Sequence, residues 1–443
     1  MENKLSKKMW FGICLFSFMG GIAWNIENMY FNTFLYNSVY AGASSAAMAG
    51  TMAPTTAISR MVALSAIAAV VSTFIMGTLS DKMKNRKLFI SAGYLLWGLI
   101  TASFGFITRD GISSLLNISD EAKILGATVW AVILMDIVMT FMGSASNDAA
   151  FNAWVTDVTT PKIRPKVETA LTFVGFLSMV AVMGVGSFAQ SGAVTYRNFF
   201  LILGLIVSLC GVIGFFVIDN PKQISAENEV SSSYWADLFY GFRPSTIKKN
   251  VPLYLILIVF AIFNISIQIF MPYLILYYEK SLGMANYVLI MAPAIIVASV
   301  VTAFWGKVYD KKGFKFSALI SIGWLALGYI ILFFTSTTVP VFIGSLLMMS
   351  GYLSGMAVFG ASIRDYTPVG KAGMFQGLRI FSQVLVPGVI GPAIGAAVLK
   401  NAEKAYKNNE VPIGAVIVKN GEVIGYGYNQ KEKKNSVLEH AEI

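Results

Sequence analysis

Eleven stretches of this chain are long and apolar enough to cross a bilayer, and no other feature narrows its fold as much. A crossing helix needs roughly 20 mainly apolar residues. Such runs fall at about 9–34, 57–80, 88–107, 127–154, 168–190, 197–218, 251–278, 286–306, 316–334, 340–363 and 372–399. Composition agrees: 56% of the residues are hydrophobic and only 13% are charged, too few to cover a soluble protein of this length. The expected fold is therefore an all-α polytopic membrane protein. The N-terminal MENKLSKKMWFGICLFSFMGG has the basic start and apolar run of a signal peptide. It lacks a clear cleavage site and is followed by many similar runs, so it reads as a retained first span.

The loops set the orientation. One set carries Lys4, Lys7, Lys8, Lys82, Lys84, Arg86, Lys87, Lys162, Arg164, Lys166, Lys222, Arg243, Lys248, Lys249, Lys307, Lys311, Lys312, Lys315, Arg364 and Lys371; the alternate set carries only Arg109, Lys123, Arg197 and Lys280. The first set, with the N-terminus, is expected on the cytoplasmic side of the cell membrane. The net charge of +10 thus sits in short loops rather than on one face, and no nucleic-acid partner is expected. The long polar break at 219–250 contains Asp219, Pro221, Lys222 and a serine run before Tyr234. It divides the chain into a six-span half (1–218), a cytoplasmic linker (219–250), a five-span half (251–399) and a tail (400–443). Cys14 and Cys210 both lie inside apolar runs, which argues against a disulfide framework and a cysteine zinc site.

Two loops repeat. GTLSDKMKNRK (77–87) returns as GKVYDKKGFK (306–315), each with Gly four residues before Asp and basic residues after it. DVTTPKIRPKVE from Asp157 is echoed by DYTPVGKAGMFQ from Asp365. On these motifs residues 9–399 resemble a major facilitator superfamily transporter, whose loop between spans two and three carries G-x-x-x-D-[RK]-x-G-[RK]-[RK]. Gly77, Asp81, Lys82, Arg86 and Lys87 match the first copy, with Lys84 or Asn85 in place of the usual glycine; Gly306, Asp310, Lys311, Gly313 and Lys315 match the second. The resemblance implies a two-half helical bundle that works by alternating access. The glycine would let helices approach closely, and the aspartate would cap a helix or pair with a cation on the next span. Eleven apparent spans leave the twelfth of such a bundle missing.

Ionisable residues in a membrane are costly and usually face a cavity or a partner. The first span carries Asn25, Glu27 and Asn28; the fourth carries Asp136, Asn147, Asp148 and Asn152; the seventh carries Asn264 and Gln268 one turn apart. In the family the first, fourth, seventh and tenth spans line the central cavity. Counting helical rise puts Glu27 and Asp136 at similar depth in the outer half, with Asp148 deeper. Amides with a carboxylate pair suit a polyhydroxylated solute and a coupling proton or sodium ion. Met135-Asp136-Ile137 resembles the fourth-span motif of the glycoside–pentoside–hexuronide:cation symporters, where the Asp helps bind sugar and cation. The structural alternatives are that Glu27 snorkels outward and that Asn147 and Asn152 are interhelical glue. Trp24, beside the polar cluster, is the tryptophan expected to stack on a sugar. Trp130 and Trp154 sit at span ends, where an aromatic belt explains them. No G-x-x-x-x-G-K-[ST] loop occurs, so ATP-driven transport is not indicated. The expected function is secondary active transport of a small polar solute, a sugar or glycoside being the class this set fits. The lipid bilayer, the solute and a coupling H+ or Na+ are the expected partners of a monomer, and no cofactor is expected.

The tail departs from this pattern. AEKAYKNNEVPIGAVIVKNGEVIGYGYNQKEKKNSVLEHAEI (402–443) reads as a short helix and two alternating strands joined by Asn420-Gly421, a type I′ hairpin signal. It closes on His440-Ala441-Glu442, the H-x-E half of the zinc deaminase signature, and resembles the N-terminal part of bacterial tRNA adenosine deaminase. That resemblance implies His440 as a zinc ligand, Glu442 as the proton shuttle and Asn429 at the nucleoside. A catalytic zinc needs three protein ligands and an open position, and this sequence has no P-C-x-x-C. Eleven crossings would also place the tail outside the cell. A membrane-fused deaminase is the second functional reading, with zinc bound only if the deaminase fold were complete. The fragment itself is expected to be inactive.

Overall fold

In hydrocarbon each backbone N–H and C=O must find its partner within the chain, so apolar runs of this length fold as helices. A computed structural model describes residues 5–83, 85–159, 163–220, 240–284, 286–367, 378–407, 414–419 and 422–428. Nine of its helices are long and apolar enough to cross a membrane. We number the long helices α1 (Lys7–Val39), α2 (Pro54–Met83), α3 (Arg86–Phe106), α4 (Glu121–Val158), α5 (Arg164–Gln190), α6 (Tyr196–Val217), α7 (Val251–Ser281), α8 (Val288–Phe334), α9 (Thr338–Tyr366) and α10 (Leu378–Asn401). The apolar core of α5 is the shorter run Phe173–Ala189. The expected eighth and ninth spans form one 47-residue helix, α8, which breaks at Gly313 (φ 77°, ψ 179°). That left-handed, extended backbone suits glycine alone, so α8 has two arms joined at the repeated loop.

Side-chain caps begin several of these helices. Ser6 accepts from Met9 N at 3.2 Å, Asp120 from Lys123 N at 2.9 Å and Thr195 from Asn198 N at 3.2 Å, each satisfying an amide the first turn leaves free. A short helix, Arg109–Leu116, starts on Thr108 and ends at left-handed Asn117 (φ 53°). The last helix runs on without a break to Lys407, so the expected short helix of the tail is an extension of α10. Strands β1 (Gly414–Lys419) and β2 (Glu422–Tyr428) then pair antiparallel, with an irregularity between Ile417 and Val418. Asn420 and Gly421 lie outside the described residues.

Small residues set the closest helix contacts, as expected where lipid supplies no hydrophobic drive between helices. A side chain on Gly98 of α3 would strike the backbone of Gly204 and Ser208 on α6, and one on Gly211 would strike Ser91 and Leu95. The second arm of α8 repeats α3 at six of eleven positions, both glycines included: ISAGYLLWGLI (90–100) becomes ISIGWLALGYI (320–330). Its Gly328 meets Gly344 and Met348, while Gly351 meets Ser321 and Leu325. Gly344, Met348 and Gly351 belong to α9, the counterpart of α4 by the Asp157/Asp365 loops. In the first half Gly93 of α3 abuts Ser146 of α4, yet Gly323 has nothing within 4 Å. So α9 takes, on its neighbour, the seat that α6 takes in the first half.

Candidate functional site

The polar residues of α4 form a stripe. Asp136, Thr140, Ser144 and Asp148 recur every four residues; Asp136, Thr140 and Ser144 are buried to 2% exposure or less. Four residues advance an α-helix by about 400°, so such a stripe drifts by roughly 40° per step. The wider π turn from Ser144 to Phe151 swings it back. α1 widens in the same way over Ile26–Phe31, which carries Glu27 and Asn28.

The carboxylates hang on this stripe. Glu27 Oε1 accepts from Thr140 Oγ1 at 2.8 Å, tying α1 to α4. Asp136 Oδ2 accepts from Ser65 of α2, and Asp148 Oδ2 accepts from Ser144 at 3.0 Å. Glu27 Oε2 and Asp136 Oδ1 are buried and have no hydrogen-bond partner among the described residues. Leaving a buried acceptor unmatched costs about 1–3 kcal/mol, so these two oxygens mark where an additional donor or cation would be stabilised.

Asn147 joins the cluster from the next turn. Its Oδ1 accepts from Trp24 Nε1 at 3.3 Å, its Nδ2 donates to the Tyr94 hydroxyl at 2.5 Å, and Tyr94 donates in turn to Phe16 O at 2.7 Å. Trp24 packs edge-on against buried Trp97, with centroids 5.0 Å apart. The other amides lie elsewhere or turn back on their own helices. Asn25 donates to Gly21 O (2.6 Å), Asn28 to Trp24 O (2.7 Å), Asn152 to Asp148 O (3.2 Å) and Asn264 to Phe260 O (2.8 Å). Gln268 packs where a side chain on Gly391 of α10 would touch it. Among the described residues no hydrogen bond links Asn264 or Gln268 to the α1–α4 cluster. Trp154 is not a belt residue: it is buried and donates to Asp219 O at 3.0 Å. Trp130, 42% exposed, fits a belt position.

At the basic loops, Arg86 is the residue that works. Only 6% exposed, it donates through Nε to Asp157 at 3.2 Å and through Nη1 to Ser80 at 2.7 Å. One loop motif thereby grips the other. In the second copy Tyr309, at the position of Ser80, donates directly to Asp365. A side chain on Gly306 would meet nothing within 4 Å, so that glycine does not serve a close approach; Asp310 and Lys311 are exposed. The side chains of Asp81 and Lys82 lie outside the described residues, as do Asn429, His440 and Glu442.

Hydrogen bonds also cross between the halves: Tyr30 to Tyr287 at 2.9 Å, Asn37 to Glu279 at 3.0 Å, and Tyr273 to Thr55 O at 3.0 Å. All lie near the helix ends opposite the N-terminus, and Asn37 and Glu279 each sit on a π turn. No tyrosine pair or π turn of this kind could be read from apolar runs alone. Arg60, a cation inside α2 whose charge within a span is itself a sequence signal, makes no ion pair with the α1–α4 carboxylates.

A multi-pass helical membrane protein of two related halves, with buried carboxylates between helices of one half, is the class these observations define. The family model of the Major Facilitator Superfamily matches residues 9–392, and the chain belongs to that superfamily. Solved structures agree in fold. A point mutant of the nucleoside transporter NupG superposes with a TM-score of 0.66 at 13% identity, covering 88% of this chain and 92% of that one. The inward-open xylose transporter XylE from E. coli gives 0.63 at 13% identity, covering 87% and 89%. A bacterial homologue of the human lysosomal transporter Spinster, inward-facing, gives 0.63 at 14%, covering 92% and 86%. Residues 394–443 match the cytidine and deoxycytidylate deaminase zinc-binding region. The tRNA-specific adenosine deaminases of Streptococcus pyogenes (serotype M18) and Bacillus subtilis are 53% and 47% identical over 45 residues, 10% of this chain. The chain spans 28% of the length of each.

Proposed function

We propose that this protein is a secondary active transporter of a small polar solute, a sugar or nucleoside, driven by a proton or sodium gradient across the cytoplasmic membrane. The observation that carries the reading is the α1–α4 cluster, in which Glu27 and Asp136 each keep one buried oxygen unmatched beside Asn147 and Trp24. The halves of α8 on either side of Gly313 count as separate crossings, giving eleven with α5, and the excess of basic residues in one set of loops puts the N-terminus inside. In this reading the three bonds between the halves close the outer side, and the cluster is reached from the cytoplasm. The test is thermal stabilisation of the purified chain across pentoses, hexoses, glycosides and nucleosides, followed by uptake of each stabilising solute into proteoliposomes. A sugar or nucleoside is expected to stabilise the wild type, and Trp24→Ala is expected to weaken that response at least about tenfold, as loss of a stacking surface would. Stabilisation by none of them, with uptake absent under both gradients, would sink the proposal.

The deaminase match gives a second reading, a membrane-fused zinc enzyme fragment. His440 is the single histidine of this sequence, Cys14 and Cys210 lie on α1 and α6, and no group of three metal ligands occurs among the described residues. A catalytic zinc site needs three protein ligands, so the purified chain is expected to carry far less than one zinc per molecule and no adenosine deaminase activity. Stoichiometric zinc that is lost in His440→Ala would establish the enzyme reading instead.

A further inference from the structure

A cavity of about 940 Å³ opens between α2, α4 and α10 at their ends opposite the N-terminus. Arg60, Lys123 and Lys400 line it, one from each helix, with Thr51, Thr56 and Trp130 between them. No carboxylate among the described residues lines it. Among the described residues none of the three cationic groups has an ion pair or a side-chain hydrogen bond. The acids at the start of α4 hold backbone and hydroxyl donors rather than these cations. Asp120 accepts from the Lys123 amide, and Glu121 accepts from Ser44 N at 3.0 Å and Ser44 Oγ at 2.6 Å.

This arrangement is costly without a counter-charge. Three like charges around one concavity repel one another, and concave walls of low dielectric focus their field. Arg60 adds to the cost. It lies six residues past Pro54, roughly 9 Å into the helix, where a cation is expensive unless it reaches water or an anion. It is exposed to the cavity rather than packed. Trp130 beside it is 42% exposed, as an indole at the level of lipid headgroups is. The Thr56 hydroxyl adds a neutral donor, whereas the Thr51 hydroxyl is already given to Ala47 O at 3.0 Å. Guanidinium and ammonium groups converging with a hydroxyl are the donor set that holds a phosphate.

We propose that this cavity is a binding site for a phosphate-bearing anion, separate from the carboxylate cluster of the transport path. A phospholipid headgroup and a soluble phosphate ester share that chemistry. The full chain in neutral detergent, titrated with short-chain phosphatidylglycerol, short-chain phosphatidylcholine and glycerol phosphate while its thermal unfolding midpoint is followed, separates them. Phosphatidylglycerol is expected to raise the midpoint and phosphatidylcholine is not. The combined Arg60→Gln, Lys123→Gln and Lys400→Gln variant is expected to need at least about tenfold more ligand for the same shift. Arg60→Lys, Lys123→Arg and Lys400→Arg together should restore the response, separating loss of charge from loss of folding. A response confined to the lipid assigns the site to a headgroup, and one matched by glycerol phosphate assigns it to a soluble ester; both uphold an anion site. Equal responses in wild type and glutamine variant, or to the zwitterionic and anionic lipids, would overturn it.

Discussion

Asp136→Asn is expected to cut gradient-driven accumulation of solute at least about a hundredfold while solute exchange across the membrane stays within about threefold of wild type. The hundredfold corresponds to about 2.7 kcal/mol of coupling. Asparagine keeps the size of the side chain and can still accept from Ser65, so the α2–α4 contact survives. What it removes is a group that can hold a proton or sodium ion. Asp136 is 2% exposed and its Oδ1 has no partner among the described residues; a buried carboxylate in that state is stabilised by whatever cation reaches it. In this reading exchange needs only solute binding and the rocking of the halves, and that oxygen serves the coupling cation. Proteoliposomes measure both modes in one preparation: uptake under an imposed gradient, and counterflow of labelled against unlabelled solute. Glu27→Gln should fall in the same direction, since Glu27 reaches α4 through Thr140. If both variants accumulate solute as the wild type does, the carboxylates are interhelical fastenings and the coupling residue lies elsewhere.

The membrane class, the helix positions and the paired loops were legible because hydropathy and charge placement are local properties of the sequence. Rise per residue set Glu27 level with the polar residues of the fourth span, and the fold puts it on Thr140, one turn from Asp136. Rotation is a different matter. Whether an amide faces a cavity or its own i−4 carbonyl depends on neighbouring helices, and Asn264 and Gln268 went to their own helix and to α10 for that reason. Trp154 looked like a belt residue by position along its span; Asp219, 65 positions away in the sequence, makes it a buried donor. The π turns of α1 and α4 leave no mark in composition, yet they set which residues of the polar stripe align. The grip of Arg86 on Asp157 joins two loops that the sequence showed separately, and only the fold brings them together.

The contrast between Gly323 and Gly328 tests how the second half is packed. Gly328→Leu is expected to destabilise the protein by about 3 kcal/mol, because the new side chain would overlap the Gly344 and Met348 backbone and force α8 and α9 apart. Gly98→Leu should cost a similar amount through Gly204 and Ser208 of α6. Gly323→Leu, five residues from Gly328 on the same arm, should be neutral or stabilise by about 0.5–1 kcal/mol, since nothing lies within 4 Å and leucine is the better helix former. Thermal unfolding in detergent, read by tryptophan fluorescence and protease resistance, ranks the three. The opposite ranking is the informative one. If α9 sat on α8 as α4 sits on α3, Gly323 would face α9 in the way Gly93 faces Ser146, and Gly323→Leu would be the damaging change. A large loss there, with Gly328→Leu mild, would mean that α9 does not hold the seat of α6. The face of α8 carrying Ser321, Leu325 and Gly328 would then be open to another helix.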